Sequence, residues 1–224
     1  MQQPTLITTS DGSHSLYVPE LDEHYHSVHG AIQESNHVFI DAGLKEVLKQ
    51  QKEAINILEI GMGTGLNVLL TLHYLCRGTS PLREGCVRAH YTTLEPFPLL
   101  PAVIAQLNYP PLLESPGSRS IFENIHQSEW GTNILLNEHF SFEKIRGKIQ
   151  EVELSRQYDL VYFDAFGPRV QPEMWTKEVF EKIFRALNPN AILVTYCSKG
   201  EVQSTLKSVG FSIEKIPGPP GKRE

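Results

Sequence analysis

The chain has 224 residues, 40% of them hydrophobic, and a formal net charge of −6. These values are typical of one soluble α/β domain with a sizeable core. No apolar run approaches the roughly 20 residues that span a bilayer, the N-terminus lacks a secretory signal, and the negative charge does not favour a nucleic-acid binder. Three widely spaced cysteines form neither a metal motif nor a disulfide framework, which predicts a reducing, cytoplasmic setting.

The predicted elements begin with a small β extension over residues 1–38. In it, Thr5–Thr9 and His14–Val18 flank a Ser-Asp-Gly turn and predict a hairpin. Helical spacing follows from about Phe39 to Gln51. Strands are then predicted near 55–60, 89–94, 140–146, 158–163, 190–196 and 210–215, and helices near 66–76, 98–107, 176–186 and 200–207.

This alternation predicts a mostly parallel twisted sheet flanked by helices, a Rossmann-like α/β fold in a single domain over residues 1–224. Ligands of such sheets bind outside the carboxyl ends of the strands. Residues 109–137 break the alternation and are expected to form an insertion over one rim, either a lid, a substrate loop or passive surface.

The strand near 55–60 leads into Gly61, Gly63 and Gly65. Glycines at a strand–helix junction allow a tight turn and a close ligand approach. The spacing differs from the G-x-G-x-x-G fingerprint of dinucleotide sites. Glu59 just upstream would repel a phosphate and suits a cationic amine, such as the methionine part of S-adenosylmethionine. The alternative is a glycine-rich turn without a ligand.

The next strand ends in Glu95, a position that binds ribose hydroxyls in α/β cofactor folds. Glu95 could equally cap a following helix with Pro96 at its first position, and the two roles are compatible. The third strand offers no acidic residue for an adenine amino group. Either backbone atoms and Gln150 make that contact or the predicted register of this strand is wrong, and the adenine contact is left open.

The stretch YDLVYFDAFGPRVQPEMWT places Asp164 at the carboxyl end of a central strand, opposite the glycines. Phe166 and Pro168 follow in a stiff loop that could grip a flat ring, because aromatic faces stack on bases. Alternatively, Asp164 caps a turn while Phe166 and Trp175 only pack.

Four histidines near the N-terminus, His24, His26, His29 and His37, invite a metal interpretation. His24 and His26 would point to one side of a strand, but no cysteine or carboxylate completes a site with convincing spacing. We therefore expect surface or rim histidines and no metal.

The segments LEIGMGTGLN, LEPFPL, YDLVYFDAFGPRVQPEMWT and GPPGKRE together resemble the methyltransferase domain of the bacterial tRNA 5-methylaminomethyl-2-thiouridine biosynthesis proteins. The resemblance runs from DEHYHSV to the C-terminus. It implies a class I methyltransferase that uses S-adenosylmethionine to methylate the aminomethyl nitrogen on carbon 5 of the wobble uridine in tRNA. In the bifunctional members an FAD-dependent oxidase makes that amine. This chain has no room for the oxidase, so a stand-alone methyltransferase supplied by a separate oxidase is expected.

The resemblance also implies roles for individual residues. Asp164 would accept an ammonium proton or hold the amine, while Phe166 and Pro168 would shape the pocket for the flipped uracil. Glu34 would belong to an N-terminal element that closes over the cofactor. The expected cofactor contacts are Glu34, Glu59, Gly61, Gly63, Gly65, Glu95 and Asp164. The expected substrate and tRNA contacts are Phe166, Arg169, Trp175, Lys199, Lys222 and Arg223.

Two other functions remain open from the sequence. The acidic net charge is compatible with an N-methyltransferase for a small amine or a protein, and loss of activity with salt would distinguish a tRNA enzyme from it. A non-catalytic binding module is the third possibility, and the intact acidic and glycine positions argue against it. The chain also stops at Glu224, where the resembling proteins would continue into a final antiparallel strand.

Overall fold

The computed structural model describes residues 3–76 and 87–218. Cys86, Lys222 and Arg223 lie outside these residues. Nine strands are described, namely β1 (Thr5–Thr8), β2 (His14–Val18), β3 (Glu23–His24), β4 (Ala54–Ile60), β5 (Arg88–Leu94), β6 (Ile134–Asn137), β7 (Phe140–Ile145), β8 (Tyr158–Phe163) and β9 (Leu187–Val194). The helices are α1 (Ala31–Ser35), a π-helical segment (Asn36–Leu44), α2 (Lys45–Leu48), α3 (Leu66–Cys76), α4 (Pro101–Ile104), α5 (Tyr109–Leu112), α6 (Ser118–Gln127), a 3₁₀ turn (Pro172–Met174), α7 (Lys177–Arg185) and α8 (Gly200–Val209). In this part of the chain no helix has the length and apolar character needed to cross a membrane.

The central sheet has six strands in the order β6-β7-β5-β4-β8-β9. All neighbours are parallel except β6 and β7, which confirms the mostly parallel α/β sheet. Every residue of β8 is buried, as expected for a strand covered on both faces. Strand β4 pairs with β5 on one side and β8 on the other. The strand order therefore reverses beside β4, and this is where such sheets bind ligands.

The N-terminal extension is a separate three-stranded antiparallel sheet, β1-β2-β3. The predicted hairpin is confirmed, with Thr5 opposite Tyr17 and Thr8 opposite His14. The next helical region begins at Ala31, earlier than predicted. Its middle part is the π-helical segment. It packs directly on the sheet at Gly43, where a Cβ atom would lie 3.0 Å from Cγ2 of Val194.

Two predicted elements at the end of the sheet need correction. The strand predicted at 190–196 starts at Leu187 and ends at Val194. The strand predicted at 210–215 is wrong, because residues 211–218 have no regular secondary structure. Gly210 ends α8 with a φ of 118°. The ring of Phe211 then packs edge-on against that of Phe184, with 5.0 Å between the ring centroids.

The helix predicted at 98–107 is also shorter than expected and begins at Pro101. Pro96, Pro98 and Pro101 disfavour a helix before it, since each proline lacks a backbone donor and restricts the residue before it. Pro96 is therefore not the first residue of a helix.

Residues 109–137 are more regular than the sequence predicted. They contribute α5, α6 and the edge strand β6, which runs antiparallel to β7. Helix α6 buries Phe122 and Ile125 against the core and leaves its other face in solvent. The segment therefore supplies a covering helix and one edge of the central sheet.

Candidate cofactor and substrate site

A cavity of about 340 Å³ opens at the carboxyl ends of β4, β5 and β8. This volume lies in the range of small-molecule sites. The lining comes from five stretches of chain: residues 23–29 of the N-terminal extension, 60–64 with the glycines, 94–97 after β5, 147–149 after β7, and 164–166 with Gln171 and Met174 after β8. Glu34, Ser35, Phe39 and Tyr196 complete it.

The three glycines of the first loop have different neighbours. All have positive φ, at 92° for Gly61, 49° for Gly63 and 73° for Gly65. A Cβ atom on Gly61 would lie 2.7 Å from the backbone oxygen of Asp164. Gly61 and Gly63 line the cavity, whereas Gly65 does not. A Cβ on Gly65 would instead meet Nε2 of His126 at 2.8 Å. Gly65 packs closely against α6, and its cofactor contact stays a prediction that this position does not favour.

Glu95 ties the glycine loop to the end of β5. Its Oε2 accepts a hydrogen bond from the Gly63 N–H at 2.9 Å, and its Oε1 accepts one from the Phe97 N–H at 2.8 Å. Burial raises the pKa of the Glu95 carboxyl, and these two bonds oppose the shift. The carboxylate lines the cavity, so it is placed where a ribose contact was predicted. It caps a short turn at Phe97 and no helix.

Glu59 lies beneath the glycine loop and does not line the cavity. Its side chain is 0% exposed, and Oε2 accepts a hydrogen bond from the Thr93 hydroxyl at 2.7 Å. Burial raises the pKa of the Glu59 carboxyl to about 8, and the negative charge of Asp164 adds to the shift. A direct contact between Glu59 and a cofactor amine remains a prediction that this buried position does not favour.

Asp164 lies half-buried on the cavity wall, where β8 ends beside the glycine loop. Its Oδ2 accepts a hydrogen bond of 2.8 Å from the side-chain amide of Asn67, the second residue of α3. The Asp164 backbone is fixed as well, since its N–H donates to the Ile60 carbonyl at 3.0 Å. The sequence correctly placed Asp164 opposite the glycines but missed its partner Asn67.

The loop after Asp164 is held by side chains from later in the chain. The Tyr196 hydroxyl donates to the Ala165 carbonyl at 2.8 Å, and Nε1 of Trp175 donates to the Phe166 carbonyl at 2.8 Å. The Phe166 N–H donates to Oε1 of Gln171 at 3.1 Å. Phe166 itself lines the cavity and meets the edge of Tyr25 at a centroid distance of 5.1 Å.

Several predicted substrate contacts lie elsewhere. Trp175 is only 6% exposed and packs against Phe163, which corrects its placement at the tRNA surface. Pro168 and the exposed Lys199 do not line the cavity, and Nζ of Lys199 lies 3.8 Å from Oε1 of Glu201. Arg169 is exposed but bridges to the N-terminal extension, donating to Glu23 Oε2 at 2.9 Å.

Residues of the N-terminal extension line the cavity, and closure of this extension over a cofactor stays a prediction. Glu34 lines the cavity, is 8% exposed and accepts a hydrogen bond from the Ser27 N–H at 2.8 Å. His26 lines the cavity and is buried, so it is not a surface histidine, and burial lowers its pKa to about 4. His24 and His29 line the same cavity. Among the described residues, no group of three or more His, Cys, Asp or Glu side chains could hold a metal ion.

Other lining residues had weak sequence signals. Tyr196 lies just after the carboxyl end of β9, a position typical of ligand-contacting residues. The sequence analysis missed it because the predicted strand extended to residue 196. The loop at 147–149 lines the cavity, whereas Gln150 is exposed and donates to the Glu173 carbonyl at 3.0 Å. Backbone and side-chain atoms of 147–149 are thus better placed than Gln150 for an adenine contact.

The cavity suits a ligand that carries positive charge. Glu34, Glu95 and Asp164 bring three carboxyl groups to its wall. Nδ1 of His26 is buried there without a hydrogen-bond partner in the described part of the chain, and such a group favours a ligand that satisfies it. S-Adenosylmethionine has a sulfonium, an ammonium and ribose hydroxyls, so the lining fits it.

Comparison with known proteins shows what the chain is similar to. Residues 120–224 match the family model of the S-adenosyl-L-methionine-dependent methyltransferases. This match covers slightly less than half of the chain, and the sheet order and the site are consistent with it. The fold is Rossmann-like.

The chain is also similar to one group of proteins. It is 30% identical over 92% of its length to the tRNA 5-methylaminomethyl-2-thiouridine biosynthesis bifunctional protein MnmC of Cupriavidus necator, and 31% identical over 93% to that of Magnetococcus marinus. It spans 31% of the length of each of these relatives. The crystal structure of MNMC2 from Aquifex aeolicus superposes with a TM-score of 0.76 at 26% identity, covering 95% of this chain and 66% of that one.

Proposed function

We propose that the protein transfers a methyl group from S-adenosylmethionine to the aminomethyl nitrogen of 5-aminomethyl-(2-thio)uridine at the wobble position of tRNA. The observation that carries the proposal is the position of Asp164, which lies on the cavity wall between the glycine loop and Phe166. The similarity to MnmC proteins supports the choice of tRNA, since their name states that they act in 5-methylaminomethyl-2-thiouridine biosynthesis.

The cofactor and the residues of the site would have separate roles in methyl transfer. When bound, S-adenosylmethionine supplies an electrophilic methyl group. The substrate amine must lose its ammonium proton before its lone pair can form the new nitrogen–carbon bond as the carbon–sulfur bond breaks. Asp164 accepts that proton, directly or through water, or holds the amine in place, while Asn67 fixes the carboxylate. Orientation of the two reactants contributes more, since it can supply ~7–11 kcal/mol of barrier reduction.

Cofactor binding is assigned to the cavity-lining part of the predicted set. Glu95 would accept hydrogen bonds from ribose hydroxyls, Gly61 and Gly63 would shape the loop around the cofactor, and Glu34 would close over it from the N-terminal extension. Phe166, opposed by Tyr25, would stack on the flipped uracil.

The tRNA contacts are assigned to individual basic residues, because the chain as a whole carries a formal net charge of −6. Lys222 and Arg223 are proposed to contact phosphate or to approach the base, with Arg169 and Lys199 as weaker contributors. A separate FAD-dependent oxidase is proposed as the source of the amine.

The proposal is tested by methyl transfer from labelled S-adenosylmethionine to two tRNA preparations, one carrying 5-aminomethyl-2-thiouridine and one lacking that modification. We expect label on the modified tRNA alone. Label on both preparations, or on neither, would contradict the substrate assignment.

A small-amine or protein substrate would be revealed by salt dependence. A tRNA enzyme that neutralises several phosphates loses affinity steeply as salt rises, because bound counterions are released on binding. Transfer to a free amine with a flat salt profile would favour the alternative and would leave the cofactor site intact.

A further inference from the structure

Lys144 is a buried cation that the proposed reaction does not use. It lies on β7 and is 1% exposed. Its Nζ donates to the Ile125 carbonyl at 3.0 Å and also to the His126 carbonyl, and it lies 4.8 Å from the centre of the Trp130 ring. Burial lowers the pKa of the Lys144 ammonium to about 8. A cation in such a position is costly unless its surroundings compensate for lost hydration.

The compensation comes from the end of helix α6. Ile125 and His126 belong to its last turn, where helix carbonyls lack partners and carry the negative end of the helix dipole. The ammonium of Lys144 satisfies two of these carbonyls at once. Lys144 thereby fixes the C-terminal end of α6 against the central sheet.

The same turn of α6 contacts the glycine loop through His126. Nε2 of His126 lies 3.1 Å from the Thr64 carbonyl, so this nitrogen must carry the proton and donate. Burial lowers the pKa of His126 to about 4, which keeps the ring neutral at physiological pH. The Phe122 ring holds the imidazole from the side, with a centroid distance of 4.6 Å.

Gly65 is required for this contact. A Cβ atom at residue 65 would lie 2.8 Å from Nε2 and 3.1 Å from Cε1 of His126, so any other residue would displace the ring. The third glycine of the loop therefore makes room for the imidazole, while Thr64, which His126 holds, lines the cavity.

We infer that His126 and Lys144 are positioning residues for the cofactor loop: Lys144 fixes the end of α6, and His126 transmits that position to the Thr64 carbonyl. The inference rests on the proposed cofactor site. It gives α6, within residues 109–137, a role in cofactor affinity that the sequence did not reveal.

The test compares four variants by calorimetric binding of S-adenosylhomocysteine and by melting temperature. For His126→Ala and Lys144→Met we expect an increase in Kd of about tenfold, the scale of one or two lost hydrogen bonds. His126→Gln retains an N–H that can reach the Thr64 carbonyl, so we expect its Kd to recover to within about threefold of wild type. Arg119→Ala, an exposed change on the same helix, is the control and should bind like wild type.

The outcomes separate the inference from the proposed function. If wild type does not bind S-adenosylhomocysteine, the cofactor site itself is wrong. If wild type binds and His126→Ala lowers the melting temperature while leaving Kd unchanged, the two residues serve stability alone and the inference is overturned. Should Lys144→Met fail to fold, the pair His126→Ala and His126→Gln still decides, because rescue by Gln requires the Thr64 contact.

Discussion

The two loops that face each other across the cavity differ in what fixes their backbones. Residues 61–65 owe their shape to glycine conformations and to backbone packing against Asp164, and hydrogen bonds with Glu95 and His126 anchor the loop. The loop after Asp164 depends on side chains from farther along the chain, with Tyr196 and Trp175 donating to consecutive carbonyls. Changes in the first loop should therefore act through strain, and changes around the second through lost hydrogen bonds.

The largest effect is expected from a change of Asp164, the residue proposed to act on the substrate amine. Asp164→Asn retains the shape of the side chain and removes its ability to accept a proton. General-base catalysis typically contributes about 10²–10⁴-fold, so we expect kcat to fall by that factor. Single-turnover transfer to modified tRNA measures it, and the Kd for S-adenosylhomocysteine should change only slightly. Near-normal turnover at neutral pH would exclude both proposed roles of Asp164.

Gly61→Ala tests the strain-based loop. The new Cβ would lie 2.7 Å from the Asp164 carbonyl oxygen at a φ of 92°, so the loops must separate. A strained backbone position costs about 1–3 kcal/mol, and we expect both weaker S-adenosylhomocysteine binding and a lower melting temperature. Gly12→Ala is the matched control: it has a φ of 83° but no atom within 4 Å of the new Cβ. Equal Kd values of the two variants for S-adenosylhomocysteine would show that the contact between Gly61 and Asp164 does not affect cofactor binding.

Glu59→Gln tests the buried group beneath the first loop. The pKa of Glu59 in the folded protein, about 8, lies above its ordinary value of 4.5. The stability that Glu59 contributes is therefore complete below pH 4.5 and is lost as the pH rises through about 8. Glutamine does not titrate. As the pH rises across this window, the free energy of unfolding of Glu59→Gln relative to that of wild type should therefore increase by roughly a few kcal/mol.

Denaturant unfolding of both proteins across the window measures the shift. Taking the difference removes the contributions of the buried histidines, which both proteins share. A pH-independent difference would show that Glu59 titrates normally. Because Glu59 does not line the cavity, S-adenosylhomocysteine affinity should be nearly unchanged; a large loss would instead support its predicted cofactor contact.

Tyr196→Phe should give the smallest effect and tests the second loop alone. It removes one hydroxyl donor to the Ala165 carbonyl. A single hydrogen bond is worth about 1 kcal/mol, so we expect kcat/KM for tRNA to fall about fivefold with little change in cofactor Kd. Tyr74→Phe, outside the cavity, is the control. Equal effects on cofactor and tRNA parameters would contradict the separation of the two loops.

The difference between the two loops also explains which features of the site the sequence could predict. The strand before Gly61 and the strand before Asp164 are continuous apolar runs, and parallel strands align their carboxyl ends, so the pairing of these two loops followed from local pattern. The positions of Trp175 and Arg169 did not, because residue type alone cannot distinguish an indole that supports a loop from one that meets a base. Likewise, nothing near Lys144 in the sequence indicates the carbonyls of α6.

The most direct test of the central claim is nucleoside analysis of modified tRNA after incubation with the protein and S-adenosylmethionine. We expect 5-aminomethyl-2-thiouridine to be converted to its methylaminomethyl product, omission of S-adenosylmethionine to prevent this, and Asp164→Asn to slow it. Unchanged 5-aminomethyl-2-thiouridine under conditions in which the cofactor binds would contradict the proposed function.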